Sequence, residues 1–504
     1  MPGDRLGMPF DDTLQWGGNS RVKSEKFVDT PLAGCCRVTT IARGLTTMRI
    51  AIVGAGPTGF FLAGALLKSG PESLTVDMFE KTPFPFGLVR FGVAPDHPKI
   101  KSVTKGFQKT MDHPRFRFWG NTTLAEQGGA GVTVEELQKH YDRVVLTVGC
   151  QDDRKLGIPF EDSTNSFSAT RFVGWYNGHP DDEHLNPNLK VSHATIVGAG
   201  NVAIDVVRFL ASTHERMGVT DASDHSLASL RDSSIEEIDV LVRRGAWDVA
   251  FTNPEVKELL DFEDIQFNFF PELPPLEKEP AYADRTSIKN LTVFHELAER
   301  RVEKPRMVVN FRFQVSPKEL RTDDAGAVSA VEVCHNKLEY GETRSQITQT
   351  DETSVYPSHL FIRSVGYCGR PLEGVPFSER SGTIPCDSVG RVIGEDGQAV
   401  SGLYVSGWIR RGPSGVIGTN KKDAQEVADA LLEDALEGDV SSPEELAAWQ
   451  SGRLKPNAVT KEDWAVLDEW ETTQGSSNGR PRRKLISIDE VLEALGRGAA
   501  AVKV

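Results

Sequence analysis

Gly54-Ala55-Gly56-Pro57-Thr58-Gly59 and Gly198-Ala199-Gly200-Asn201-Val202-Ala203 decide the fold of this 504-residue chain. Each follows a short apolar run, residues 48–53 and 194–197, and leads into an apolar run of helical length, residues 60–67 and 202–210. In that setting the first glycine makes the strand-to-helix turn and the second lets a pyrophosphate approach the backbone. The third small residue packs helix on strand, and the helix N-terminus attracts the phosphates. One such motif is weak evidence, because glycine turns occur in any α/β protein. Two copies in strand–turn–helix context weigh strongly against that bland reading.

The two copies end differently. After the first, the strand at residues 74–79 runs into Glu80, whose carboxylate can accept hydrogen bonds from ribose hydroxyls. After the second, the strand at residues 238–242 ends in Arg243-Arg244-Gly245. Two guanidiniums there suit the 2′-phosphate of NADP. A charge-assisted hydrogen bond contributes about 1.5–3 kcal/mol, so the pair sets a preference for NADP over NAD of one to a few powers of ten. The arginines come later than the usual ~20 residues after the glycines, because a polar insertion at residues 213–237 lengthens the crossover.

Composition bounds the rest. The chain is long enough for two or three domains, and 39% apolar with 26% charged residues is globular. No apolar run approaches the ~20 residues of a membrane span. A net charge of −15 argues against a nucleic-acid partner and says little about protein partners. The six cysteines (Cys35, Cys36, Cys150, Cys334, Cys368, Cys386) form no Cys-x-x-Cys, which leaves no redox disulfide pair and no zinc or iron–sulfur ligand set. A cytoplasmic, metal-free monomer is the expectation. Residues 1–47 lack a secretion signal's apolar core and contain acids, so they read as a disordered leader. Met48 at the start of the first strand also suits a natural start there.

The fold class that follows is α/β, with two Rossmann-like dinucleotide-binding domains, the second inserted into a discontinuous first. Residues 48–150 and 360–440 form the first domain, residues 151–359 the second with its connections, and residues 441–504 a polar C-terminal extension with short helices at 462–469 and 488–495. The return to the first domain is read from an apolar strand at residues 359–365 followed by Gly366, much like the ending at 144–149. The acidic, Phe- and Pro-rich residues 261–280 read as a surface excursion.

Three further clusters are too distinctive for ordinary loops: residues 83–98 (PFPFGLVRFGVAPDHP), residues 172–180 (FVGWYNGHP) and residues 407–420 (GWIRRGPSGVIGTN). With them the chain strongly resembles, over residues 48–434, the adrenodoxin reductase family of FAD-dependent ferredoxin–NADP reductases in its bacterial form. The resemblance implies an FAD domain with an inserted NADP domain, hydride transfer from NADPH to the flavin, and single-electron delivery to a ferredoxin. It implies FAD-binding roles for Gly54, Gly56, Thr58, Glu80, Leu88, Leu124, Trp408, Gly415, Val416 and Ile417. It implies NADP roles for Ala199, Gly200, Asn201, Val202, Ala203, Arg243, Arg244, Glu255 and Gly415. His97 and Glu255 match positions at the reacting centre, and Asp152 an acid of partner docking or interdomain contacts. Arg410 and Arg411 are either solvated or part of a ferredoxin-facing patch. Phe160 stands where the family's Ile-Pro-x-Glu carries Gly, and Trp247 where a Pro is common.

The rival readings are an NADPH-dependent flavin monooxygenase and an electron-input subunit of a larger complex. A flavin disulfide reductase would need a cysteine pair beside the flavin, which this chain lacks.

Overall fold

The computed structural model describes residues 48–125, 129, 131–436, 438–454 and 457–497. The expected leader at 1–47, with Cys35 and Cys36, lies outside the described residues. Two six-stranded sheets organise the chain. In the first, Arg49–Val53 is flanked by Thr75–Phe79 and Arg143–Leu146, with Phe116–Trp119 beyond the former and Ala399–Val405 beyond the latter, all parallel; Arg391–Ile393 closes the edge antiparallel. In the second, His193–Val197 lies between Leu360–Arg363 and Glu237–Val242, and the order runs outward through Met307–Phe313 to Ile265–Phe270 on one side and Ser166–Ser168 on the other, parallel throughout. The central strands are buried on both faces, as a parallel sheet covered by helices requires.

Leu360–Arg363 corrects one expectation. It belongs to the second sheet, paired with His193–Val197, and does not return the chain to the first. Its likeness to Arg143–Leu146 has a physical cause, because each is the strand beside its fingerprint strand. A Cβ on Gly54 would lie 2.6 Å from Thr147 O, and a Cβ on Gly198 would lie 2.2 Å from Ser364 O. The two strands end alike because they serve alike. The crossing between domains comes just after, where Tyr367–Cys368 pairs antiparallel with Asp152–Asp153 on the outgoing segment. Arg370 clamps this ribbon through Asp152, which places that acid in an interdomain contact.

Residues 261–280 hold a second correction. They are not wholly a surface excursion: Ile265–Phe270 is an edge strand with Ile265, Phe267 and Phe269 buried by the period-2 alternation of a half-covered strand. Flanking acids and prolines mask that alternation in composition.

The C-terminal extension is also more than a polar tail. Helices Lys461–Ser476 and Ile488–Ala494 pack on the first domain, burying Trp464, Leu467, Leu485 and Val491 against Phe84, Phe86 and Val89. The Arg90 guanidinium lies 4.2 Å from the Phe84 ring centre and forks onto Glu471, a side chain with no exposed surface. From there residues 480–484 cross to the other domain. Arg480 donates to Thr220 O at 3.0 Å, and Lys484 Nζ reaches Arg90 O at 3.1 Å, Asn177 Oδ1 at 3.2 Å and Asp221 Oδ2 at 3.4 Å. Full burial pushes Lys484 well below the usual lysine range, with Asp221 opposing the shift. No helix among the described residues is long and apolar enough to cross a membrane.

Candidate functional site

Both fingerprints sit at the carboxyl ends of their sheets, where open α/β sheets bind ligands. In the first, Gly54 (φ +109°) makes the turn, and a Cβ on Gly59 would lie 2.2 Å from Gly54 O, so helix and turn touch at the third glycine. A Cβ on Gly56 would meet nothing within 4 Å. Gly56 therefore faces open space, as a residue against a pyrophosphate must. Gly87, at φ +47°, lies so close that its Cβ would come 2.9 Å from Gly56 Cα, and Phe86 N–H donates to Ala55 O at 2.8 Å. These contacts fix the PFPFGLVR loop beside the fingerprint and leave Leu88 37% exposed there.

Glu80 closes this site. Its carboxylate accepts from Ala55 N–H at 2.8 Å and Thr82 N–H at 3.1 Å, while burial pushes its carboxyl up and those bonds oppose the shift. Thr58 is buried on the fingerprint helix, with its hydroxyl against Gly407 (φ +82°). Leu124 is half-buried and bridges Val132.

Gly407 and Trp408 open the other end. Asp423, on helix Ile417–Glu433, accepts from Gly407 N–H, from Ser406 Oγ at 2.7 Å and from Arg410 at 2.7 Å. Arg411 bonds Asn420 and Ser414 O. Both arginines thus brace the Gly407–Gly415 turn and are not solvated as one reading had them. Trp408 lies tilted against Tyr367, with ring centres 5.5 Å apart, and its buried Nε1 has no partner. Gly415 (φ +81°), where a Cβ would come 2.5 Å from Thr419 Oγ1, and Val416, 64% exposed, stand at the start of the same helix. An orphaned buried donor, an uncovered apolar residue and a glycine cradle fit a flat heteroaromatic ring, and with Glu80 and Gly56 they fit FAD.

The second fingerprint repeats the plan. Gly198 (φ +137°) turns the chain, Gly200 again faces open space, and buried Ala203 takes the packing position. Asn201 Oδ1 accepts from Thr252 N–H at 2.7 Å and Ala250 N–H donates to Ala199 O at 2.7 Å, which ties the Phe251–Glu255 segment to this turn. Val202 is half-buried behind it. Arg243 is exposed and Arg244 half-buried past the strand end, and Trp247 is buried.

Side chains of the two nucleotide-binding units meet in a charged seam. Arg208, fully buried on the second fingerprint helix, forks onto Asp96 (Nε–Oδ2 3.1 Å, NH2–Oδ1 2.8 Å) and bonds Asp205 at 2.8 Å. Its NH2 lies 2.9 Å from His97 Nε2, which is 2.7 Å from Glu258 Oε2. Burial is the largest influence on His97 and lowers its pKa, as does Arg208, but the Glu258 hydrogen bond together with Asp96 and Asp205 outweighs them, and the net shift is upward. Asp96, His97 and Glu258 have metal-ligand spacing, yet both carboxylates are already ion-paired with the Arg208 guanidinium. Of the two residues expected at the reacting centre, the structure brings His97 into this seam. Glu255 is half-buried in the first turn of Asn253–Lys257, and it is Glu258, just beyond, that reaches His97. Arg208, Asp205 and Glu258 were not legible in the sequence, because each looks like an ordinary charged helix residue.

Comparison with known proteins agrees with this arrangement. The pyridine nucleotide-disulphide oxidoreductase family model matches residues 48–246. NADPH-ferredoxin reductase FprA of Mycobacterium tuberculosis is 42% identical over 459 residues, which cover 88% of this chain and 98% of that protein. The human mitochondrial NADPH:adrenodoxin oxidoreductase is 37% identical over 473 residues, covering 89% of this chain and 92% of that one. The solved structure of the M. tuberculosis FprA in complex with NADPH superposes with a TM-score of 0.82 at 41% identity, covering 89% of this chain and 100% of that one. With both nucleotide folds, the seam between them and relatives of this identity along nearly its whole described length, the chain belongs to the NADPH-ferredoxin and NADPH:adrenodoxin reductase family.

Proposed function

We infer that this chain is an FAD-dependent ferredoxin–NADP reductase, which takes hydride equivalents from NADPH and passes electrons singly to a ferredoxin-type iron–sulfur protein. The observation that carries the reading is the pairing of an acidic and a basic ending, Glu80 and Arg243-Arg244, on the fingerprints of two nucleotide-binding units joined by one seam. When bound, FAD supplies the two-electron to one-electron conversion that no side chain can perform.

The protein's own groups bind and align. Gly54, Gly56 and Thr58 would receive the FAD pyrophosphate, Glu80 its ribose, and Leu88 and Leu124 its flank. Trp408 with Gly415, Val416 and Ile417 would border its ring. The turn at residues 199–203 would take the NADP pyrophosphate, with Ala203 packing beneath it, Arg243 and Arg244 its 2′-phosphate, and Glu255 and Gly415 the nicotinamide side. His97 would orient the seam, holding a proton at Nε2 when it is paired with Glu258. The domain limits that go with this reading are residues 48–150 with 366–440 for FAD and 151–365 for NADP, the strand Leu360–Arg363 having moved the second limit. A reducing cytoplasm suits the four described cysteines, all free thiols.

Replacing Arg243 and Arg244 together by Ala tests the assignment of the two sites. The KM for NADPH should rise by roughly ten- to a hundred-fold while that for NADH barely moves. An equal rise for both would remove the 2′-phosphate assignment.

A further inference from the structure

The Arg243-Arg244-Gly245 turn lies under the hairpin made by Val328–Tyr340 and Ser345–Pro357. Asn336 Nδ2 donates to Arg243 O at 2.8 Å, Gln314 N–H donates to Arg244 O at 3.0 Å, and Arg244 Nε donates to Ser345 O at 3.1 Å. Leu338 packs on Gly245, where a Cβ would come 3.0 Å from Leu338 Cδ2. Ser345 has no exposed surface, and it is gripped from its other side as well. Its N–H and hydroxyl donate to Asp248 at 3.1 and 2.6 Å, and its Oγ lies 2.6 Å from the Tyr282 hydroxyl. A buried serine held by that many bonds fixes its neighbour in the hairpin turn. That neighbour, exposed at the mouth of the arginine turn, is Arg344.

The charges do not balance locally. Among the described residues, neither Arg243 nor Arg344 has an ion-pair partner, and the one side-chain bond of Arg244 goes to a neutral carbonyl. Asp248 is the acid whose charge acts on Arg244, and both of its oxygens are engaged by Ser345, one of them by Tyr282 as well. Partial burial and the adjacent Arg243 and Arg344 guanidiniums hold Arg244 below the usual arginine range. Three guanidiniums gathered around one committed acid repel each other unless an anion sits among them, and a phosphate monoester brings a charge of about −1.5 to −2 with three acceptor oxygens.

We propose that Arg344 is the third guanidinium of the 2′-phosphate site, closing on the phosphate from the hairpin while Arg243 and Arg244 hold it from the turn. The proposal rests on the NADP reading of those two arginines. It makes the hairpin a specificity element of the nucleotide site, where a plain Rossmann unit would leave that side open.

The test uses the FAD-loaded enzyme with Arg344→Gln and Arg344→Lys, titrated with 2′,5′-ADP and 5′-AMP alongside NADPH and NADH kinetics. Arg344→Gln should weaken 2′,5′-ADP binding and raise the NADPH KM by roughly five- to thirty-fold, with 5′-AMP and NADH moved less than about two-fold. Arg344→Lys should recover part of the loss, and the salt dependence of 2′,5′-ADP binding should flatten in Arg344→Gln. An unchanged affinity for 2′,5′-ADP, or equal losses for the phosphorylated and unphosphorylated ligands, overturns the proposal. The Arg243→Ala/Arg244→Ala enzyme separates the two levels. If it loses NADPH preference while Arg344→Gln does not, the third guanidinium is wrong and the site stands; if neither loses it, the 2′-phosphate site itself is misplaced.

Discussion

Glu258 Oε2 lies 2.7 Å from His97 Nε2, so a carboxylate of the second nucleotide unit grips the loop that follows the first. The same Nε2 is 2.9 Å from the Arg208 guanidinium, which can only donate. One ring nitrogen cannot accept from Arg208 and donate to Glu258 at once. A neutral ring bare at Nε2 takes the Arg208 bond, and a protonated ring takes Glu258. The upward shift of His97 favours the second arrangement increasingly as pH falls.

A pH-dependent stability follows. Because the folded pKa of His97 lies above its unfolded value, the ion pair contributes fully below about pH 6.5 and fades as pH rises through the folded pKa. The Tm difference between the native enzyme and His97→Gln should therefore be largest near pH 5.5 and shrink toward pH 9, as read by thermal scans. A difference that grows with pH would mean that His97 is neutral in the native state.

The fingerprint glycines separate binding from folding. Gly56 and Gly200 have extended backbone with negative φ and open space where a Cβ would point. Gly56→Ala should leave the fold intact while flavin is lost on purification. Gly200→Ala should keep its flavin and raise the NADPH KM by roughly ten- to a hundred-fold. Circular dichroism, flavin absorbance and steady-state kinetics check the pair. Loss of flavin from Gly200→Ala would reverse the assignment of the sites.

The C-terminal extension should stabilise the whole nucleotide-binding body. Removing one partner of the buried Arg90–Glu471 pair leaves an uncompensated charge beside Phe84, so Glu471→Ala should lower unfolding stability by about 3–5 kcal/mol. Urea unfolding measures it. A cost below about 1 kcal/mol, the range of exposed ion pairs, would make the extension an appendage.

What the sequence could reveal was set by how local each feature is. The fingerprints, Glu80, Arg243 and Arg244 lie on consecutive strands and turns, so their chemistry is readable in order. The sequence alone does not say which sheet takes Leu360–Arg363, because an apolar run ending in glycine marks a position beside a fingerprint strand in either sheet. Ile265–Phe270 was hidden by its acidic and proline flanks. The seam is assembled from Asp96, His97, Asp205, Arg208 and Glu258 across two domains, and a partnership of that kind leaves no spacing to read. The extension likewise looked polar because its charged residues are buried in pairs, as Arg90–Glu471 and Lys484–Asp221 are.

The most direct test is NADPH-driven reduction of cytochrome c by the purified FAD-loaded enzyme, with and without an added low-potential ferredoxin. The rate should rise many-fold on addition of ferredoxin, saturate with its concentration, and be far lower with NADH. A rate indifferent to ferredoxin, with NADPH oxidation instead tracking oxygen consumption and an oxygenated product, would contradict the account.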